Sequence, residues 1–106
     1  MKIERFDIVL VKLNPTVGHE IQKKRPCIVI SPNEMNILKT IIIAPLTSKG
    51  FDFVFRPNIY FQEKNGLVLL DQIRAIDKSR IVKKIGKVET QKAKEISEIL
   101  VEMFLF

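Results

Sequence analysis

Cysteine and histidine are each present once in this 106-residue chain, and those shortages remove whole classes of chemistry. Cys27 has no partner for an internal disulfide. One Cys and one His also fall short of the four ligands a zinc site normally uses, so no metal and no cofactor is expected. Cys27 sits in the apolar run Cys27–Ile30 and reads as a small buried hydrophobe rather than a nucleophile. No apolar run reaches the roughly 20 residues that span a bilayer. The opening MKIERFD has no apolar signal-peptide core, so a cytoplasmic location is expected. There is no internal repeat and no low-complexity segment.

What remains is an ordinary globular composition with a surplus of positive charge. Hydrophobic residues make up 46% and charged residues 28%, which suits a folded chain rather than a disordered one. The length fits one domain over residues 1–106, with no room for a second core. So small a domain buries only about two-thirds of its unfolded surface, and oligomerisation is a natural way to add stability. A net charge of +6 with a pI near 9.6 favours polyanionic partners, either nucleic acid or an acidic protein segment.

Most of the chain has the signature of short strands. Ile8 to Leu13 is rich in β-branched residues and lacks clean alternation, as expected for a strand covered on both faces. Pro26 is expected to open a second strand, Cys27 to Ser31, followed by a Ser31-Pro32-Asn33 turn. Thr40 to Pro45 reads as a third strand ended by its proline, with Leu46 to Gly50 as a loop. Phe51, Phe53 and Phe55 alternate with other residues, which predicts an aromatic core face. Asn65-Gly66 signals a hairpin turn before Leu67 to Asp71. Asp77-Lys78-Ser79 suits a short helical turn. Ile81 to Val88 returns to an extended pattern, with Gly86 marking a weak point or bulge. The chain ends in one helix, Thr90 to about Phe104, with Thr90 as its N-cap. Its apolar stripe is Ala93, Ile96, Leu100, Met103 and Phe104. The fold class is therefore mainly β (α+β): a small, strongly bent antiparallel barrel with a C-terminal helix packed on it.

Functional groups concentrate in Asn14 to Ser31, where a polar loop joins two strands and carries Gly18, His19 and the cations Lys23, Lys24 and Arg25. Lys23 and Lys24 read mainly as a solvated cluster, with Lys24 kept as a candidate substrate contact. Arg25 differs, because Pro26 restricts its backbone to extended conformations and the strand begins at once. Its planar guanidinium can grip a phosphate through two hydrogen bonds. His19 and Glu20 are an imidazole and a carboxylate side by side, able in principle to move protons, although neighbours on an extended loop point apart. Asp71, Gln72 and Arg74 follow an apolar run, and Asp71 with Arg74 fits a structural ion pair as well as a substrate contact.

Asp7–Val11, Pro15–Glu20 and Lys24–Ser31 together resemble the N-terminal signature of the MazF/PemK family of toxin endoribonucleases. The resemblance continues through Ala44-Pro45-Leu46-Thr47-Ser48, Leu70-Asp71-Gln72-Ile73-Arg74 and Ile85-Gly86-Lys87-Val88, and so covers nearly the whole chain. It implies an SH3-like barrel of the CcdB/MazF type that forms a homodimer. It also implies that Arg25 and Thr47 serve catalysis, with Ser48 a lesser contributor and His19 assisting catalysis or RNA binding. Phe6 stands where relatives commonly have Gly. Leu69 stands where PemK-like relatives have an Arg, two residues before the matching Asp71.

The activity this implies is sequence-specific, metal-independent cleavage of single-stranded RNA. The 2′-hydroxyl attacks the adjacent phosphorus and leaves a 2′,3′-cyclic phosphate and a 5′-hydroxyl. An acidic antitoxin is the implied protein partner. Two alternatives compete: a non-catalytic SH3-like barrel that binds nucleic acid or protein through its basic loops, and a gyrase poison of the CcdB type. The latter needs a C-terminal helix specialised for gyrase, whereas Phe104-Leu105-Phe106 reads as buried packing.

Overall fold

A computed structural model describes residues 1–13 and 23–106. The segment 14–22, with His19 and Glu20, lies outside the described residues. Seven strands are present among them: β1 Asp7–Lys12, β2 Lys24–Val29, β3 Thr40–Thr47, β4 Asn58–Phe61, β5 Lys64–Val68, β6 Arg74–Asp77 and β7 Ile81–Lys87. The helix α1, Thr90–Phe104, follows them. All the pairings are antiparallel, in the order β4-β5-β3-β2-β1-β7, with β6 also paired to β3. The sheet curls into a half-barrel. Phe61 of β4 comes to pack on Gly86 of β7, at the other end of the strand order: a Cβ on Gly86 would lie 2.8 Å from the Phe61 ring.

β1 explains its own lack of alternation. Ile8 joins one buried cluster, with Ile28, Leu46, Val68 and Ile96 of α1. Val9 and Val11 join another, with Cys27, Val29, Ile41 and Ile43. Both faces of the central strands are therefore covered, and both must be apolar. Each fully buried Ile or Val contributes about 1.5–3 kcal/mol relative to an exposed one. Asp7 is the exception, 1% exposed. Its carboxylate accepts the Glu4 backbone N–H at 2.8 Å and faces Lys84 Nζ at 3.0 Å, so the buried charge is paired.

The register slips twice between β1 and β7, once between Ile8, opposite Gly86, and Val9, opposite Lys84. The expected irregularity around Gly86 is thus a bulge. Phe6 has φ +68°, a region unfavourable for a bulky side chain. Backbone bonds hold it there, with Phe6 N–H donating to Val29 O and Val88 N–H donating to Phe6 O.

Several sequence expectations need correction. β2 begins at Lys24, so Pro26 lies inside it, at a point where β1 is its neighbour on only one side. β3 runs through Pro45 to Thr47, and the proline sits where β3 exchanges one partner, β6, for another, β5. Thr47 is therefore a strand residue rather than a loop residue. The Phe51-Phe53-Phe55 alternation forms no core-facing strand. Phe51 and Phe53 are exposed, and the only pairing there is an isolated bridge from Phe53 to Arg56.

The hairpin turn falls at Gln62 and Glu63, whose φ values of 51° and 62° fit a type I′ turn. Asn65 and Gly66 lie within β5, and Leu70–Gln72 is a 3₁₀ turn. The expected helical turn at Lys78–Arg80 is present, with Asp77 accepting from Ser79 N–H. On α1 the N-cap is Glu89 rather than Thr90, and it makes no side-chain cap bond. Ala93, Ile96, Leu100 and Met103 pack inward, joined by Ile99. Phe104, Leu105 and Phe106 are exposed rather than packed. No helix among the described residues is long and apolar enough to cross a membrane.

Candidate active site

The site arises where two paired strands part. The β2–β3 ladder holds Val29 opposite Ile43, Ile28 opposite Ala44 and Cys27 opposite Pro45, and it ends there. Beyond that pair, Lys24 to Pro26 stay on β1, while Leu46 and Thr47 turn to β5. A cleft of about 470 Å³ opens between them, with Arg25 on one wall and Thr47 on the other. Its floor includes Ile59 and Phe61 from the core-facing side of β4, and Gly66 closes its back. A Cβ at position 66 would lie 2.9 Å from the Thr47 carbonyl oxygen, so only glycine lets β5 approach this closely.

The electrostatics are one-sided. Lys24, Arg25, Lys49 and Lys64 line the cleft, and among the described residues no Asp or Glu does. Such a surface attracts anions. Thr47 is half-buried, and its Oγ1 accepts the Lys49 backbone N–H at 3.2 Å, which orients the hydroxyl at the strand end. Ser48 and Lys24 also line the cleft, so four expected site residues (Lys24, Arg25, Thr47 and Ser48) come together.

The rest of the expected set divides. Asp71 does not pair with Arg74. Its carboxylate accepts two hydrogen bonds from Arg56, Nε at 2.9 Å and Nη2 at 2.8 Å. The Arg56 guanidinium holds the Asp71 carboxyl below its ordinary value of 3.8. Asp71, Gln72 and Arg74 do not line the cleft. Arg74 starts β6 opposite Ile43, and with Arg25 it is close enough to bear on the Cys27 thiol. Burial nevertheless dominates there and pushes that thiol up to about 12, which agrees with an inert core residue. His19 and Glu20 lie outside the described residues, but both ends of their loop are fixed. Lys12 pairs with Lys24, and Arg80 Nη1 donates to the carbonyls of Lys12 and Leu13 at 3.2 and 2.8 Å.

Lys49, Lys64, Gln62, Asn65 and Gly66 also line the cleft and were not expected at the site. Asn65-Gly66 carried a signal, but one pointing to a turn. The glycine serves close strand approach instead.

Comparison with known proteins gives the same architecture. The chain is 38% identical over 93 residues to the endoribonuclease toxin ChpB of Escherichia coli strain K12, covering 80% of this chain and 79% of ChpB. The crystal structure of MazF from Deinococcus radiodurans superposes with a TM-score of 0.80 at 22% identity, covering 100% of this chain and 99% of that one. A mycobacterial endoribonuclease in complex with its cognate antitoxin has a TM-score of 0.77 at 17% identity, covering 94% and 92%. The family described as PemK-like, MazF-like toxin of type II toxin–antitoxin system matches residues 4–104. This chain belongs to that PemK/MazF toxin family.

Proposed function

We propose that this toxin is an endoribonuclease that cleaves single-stranded RNA without a metal ion, using Arg25 and Thr47 in the cleft between β2 and β3. The observation that carries this reading is the shared cleft itself: a guanidinium and an alcohol on facing walls, with four cations and, among the described residues, no carboxylate.

The chemistry needs no protein nucleophile. The ribose 2′-oxygen forms a bond to the adjacent phosphorus and gives up its proton. The bond from phosphorus to the 5′-oxygen breaks, and that oxygen takes a proton. The products are a 2′,3′-cyclic phosphate and a 5′-hydroxyl. Charge accumulates on the phosphoryl oxygens at the transition state, and a fixed, always-protonated guanidinium stabilises it. Arg25 takes that role. Thr47, already oriented by the Lys49 amide, positions the phosphate or the 2′-hydroxyl. Lys24 and Ser48 hold flanking phosphates. His19 and Glu20, outside the described residues, are kept as substrate contacts, with His19 a candidate to move a proton. Asp71, held by Arg56 and outside the cleft lining, serves the fold rather than the reaction.

Single strands are the substrate because unstacked bases expose the edges that allow sequence to be read. The basic cleft equally suits the acidic segment of an antitoxin, a partner supported by the antitoxin-bound mycobacterial relative. The chain is read as one toxin domain that works as a cytoplasmic homodimer.

The test is cleavage of a mixed single-stranded RNA pool in excess EDTA, followed by mapping of the ends. Wild type cuts at a recurring short sequence and leaves cyclic phosphate ends. Arg25→Ala, folded by circular dichroism, does not cut. Loss of activity with chelator, or full activity in Arg25→Ala, overturns the mechanism.

A further inference from the structure

The cleft floor uses one face of β4, and the other face carries an aromatic residue with no assigned role. Ile59 and Phe61 point toward the core, so Tyr60 between them faces outward, and it is 68% exposed. Tyr60 stands opposite Asn65 on β5, and Asn65 lines the cleft. Directly opposed residues of an antiparallel pair share a face, with Cβ atoms about 4.5–5.5 Å apart. The ring of Tyr60 therefore lies beside a side-chain amide at the cleft rim. Phe51, 76% exposed, follows Lys49 and Gly50, and a Cβ on Gly50 would lie 3.4 Å from Leu67 of the same sheet. Tyr60 and Phe51 are thus two exposed aromatics carried by or next to segments that line the basic cleft.

Register fixes the separation. Thr47 is opposite Leu67, and Leu67 is opposite Asn58, two residues before Tyr60. Tyr60 is then two strand spacings across from Thr47, roughly 10 Å, and roughly 7 Å along. That exceeds the reach of a group acting on the reacting phosphate and suits contact with a neighbouring nucleotide.

We propose that Tyr60 is a stacking platform for a base flanking the scissile phosphate, with the Asn65 amide reading that base's edge. This rests on the ribonuclease reading above. An extended RNA strand whose phosphate sits between Arg25 and Thr47 continues past Lys64 and Asn65 onto this face. Aromatic rings stack on any base, and an adjacent amide adds edge contacts.

The chain offers its own probe, because Tyr60 is its only tyrosine and there is no tryptophan. The ligand is a short single-stranded RNA taken from the mapped cleavage sequence, with 2′-deoxyribose at the scissile position so that it binds without being cut. Binding is expected to quench tyrosine emission, after correction for absorption by the oligonucleotide. Tyr60→Ala and Tyr60→Leu are each expected to weaken binding about tenfold or more, raising KM while kcat holds, and Tyr60→Phe to bind as wild type. Melting temperatures matched to wild type exclude a folding defect, and Tyr60→Leu keeps a strand-compatible side chain if the alanine variant misfolds. Unchanged emission at saturation overturns the proposal, as does wild-type affinity in Tyr60→Leu. Quenching by an acidic peptide but not by RNA overturns it in favour of a protein contact. If the oligonucleotide does not bind and its all-ribose counterpart is not cut, the ribonuclease reading fails, and this proposal with it.

Discussion

Arg25 and Thr47 sit two residues past the last registered pair of β2 and β3, Cys27 with Pro45, and the same register brings them opposite each other. The strands have already parted, so the pair flanks a cleft instead of closing a ladder. Either partner placed on a mobile loop would hold a phosphate less well, because geometry loose by about an ångström forfeits much of the catalytic gain. Thr47→Ala is expected to lower kcat for RNA cleavage by about 10²-fold, the scale for losing one transition-state contact. Arg25→Lys keeps the charge but loses the fork, and is expected to fall between wild type and Arg25→Ala. Single-turnover kinetics on a defined oligonucleotide measures both.

Gly66 makes the next prediction, since it permits the approach of β5 to the Thr47 carbonyl. Gly66→Ala places a methyl where 2.9 Å is available to a backbone oxygen, so β3 or β5 must shift. The expected cost is about 1–3 kcal/mol in urea unfolding, typical of overpacking. A second expected effect is a loss of kcat greater than the loss of folded protein explains, because the atom displaced belongs to Thr47. Unchanged kcat in the folded fraction would separate Gly66 from the site.

The bent sheet and terminal helix were legible because hydrophobic patterning, a continuous run in β1 and a helical stripe in α1, reports burial. Ile8 to Val11 and Ala93 to Met103 show this directly. Turn chemistry misled where tertiary contacts override local preference. Asn65-Gly66 is the stronger turn sequence, yet Gly66 is required beside Thr47, and the turn falls on Gln62-Glu63 despite their positive φ. The Phe51-Phe53-Phe55 alternation imitated a core strand because period two reports extended backbone, not which side is covered. Of the residues that line the cleft, Arg25 was singled out in the sequence by its place before Pro26. Lys49 and Lys64 were not, since isolated surface lysines look alike until the fold brings them to one cleft.

Cys27 provides a contrast between a buried thiol and a working one. Cys27→Ala is expected to leave cleavage unchanged and cost about 1 kcal/mol, the usual effect of a single core substitution. Its thiol is raised from 9.0 to about 12 by burial, so the folded chain holds the proton that the unfolded chain releases. The sign follows: the folded state binds more protons between those values, and stability falls as pH rises from 9.0 toward about 12. That portion of the alkaline loss should be missing in Cys27→Ala. Alkylation of native protein by iodoacetamide should likewise stay slow until denaturant is added. Rapid modification of the native thiol would contradict its burial.

Asp71 tests whether a residue outside the cleft lining supports the fold or the reaction. Its carboxylate is held low first by the Arg56 hydrogen bonds, so the folded state keeps the charge after the unfolded state has taken up a proton. The pair's contribution is complete above the ordinary value of 3.8 and is lost as pH falls below it, through the folded value. The pair is partly exposed, so the effect is small and screened by salt. Asp71→Asn is expected to cleave RNA at close to the wild-type rate. It should be slightly less stable than wild type at neutral pH and lose that difference in acid below pH 3.8. Urea unfolding at both pH values, beside a cleavage assay, distinguishes the roles. A large drop in kcat with unchanged stability would move Asp71 from a supporting ion pair into the reaction itself.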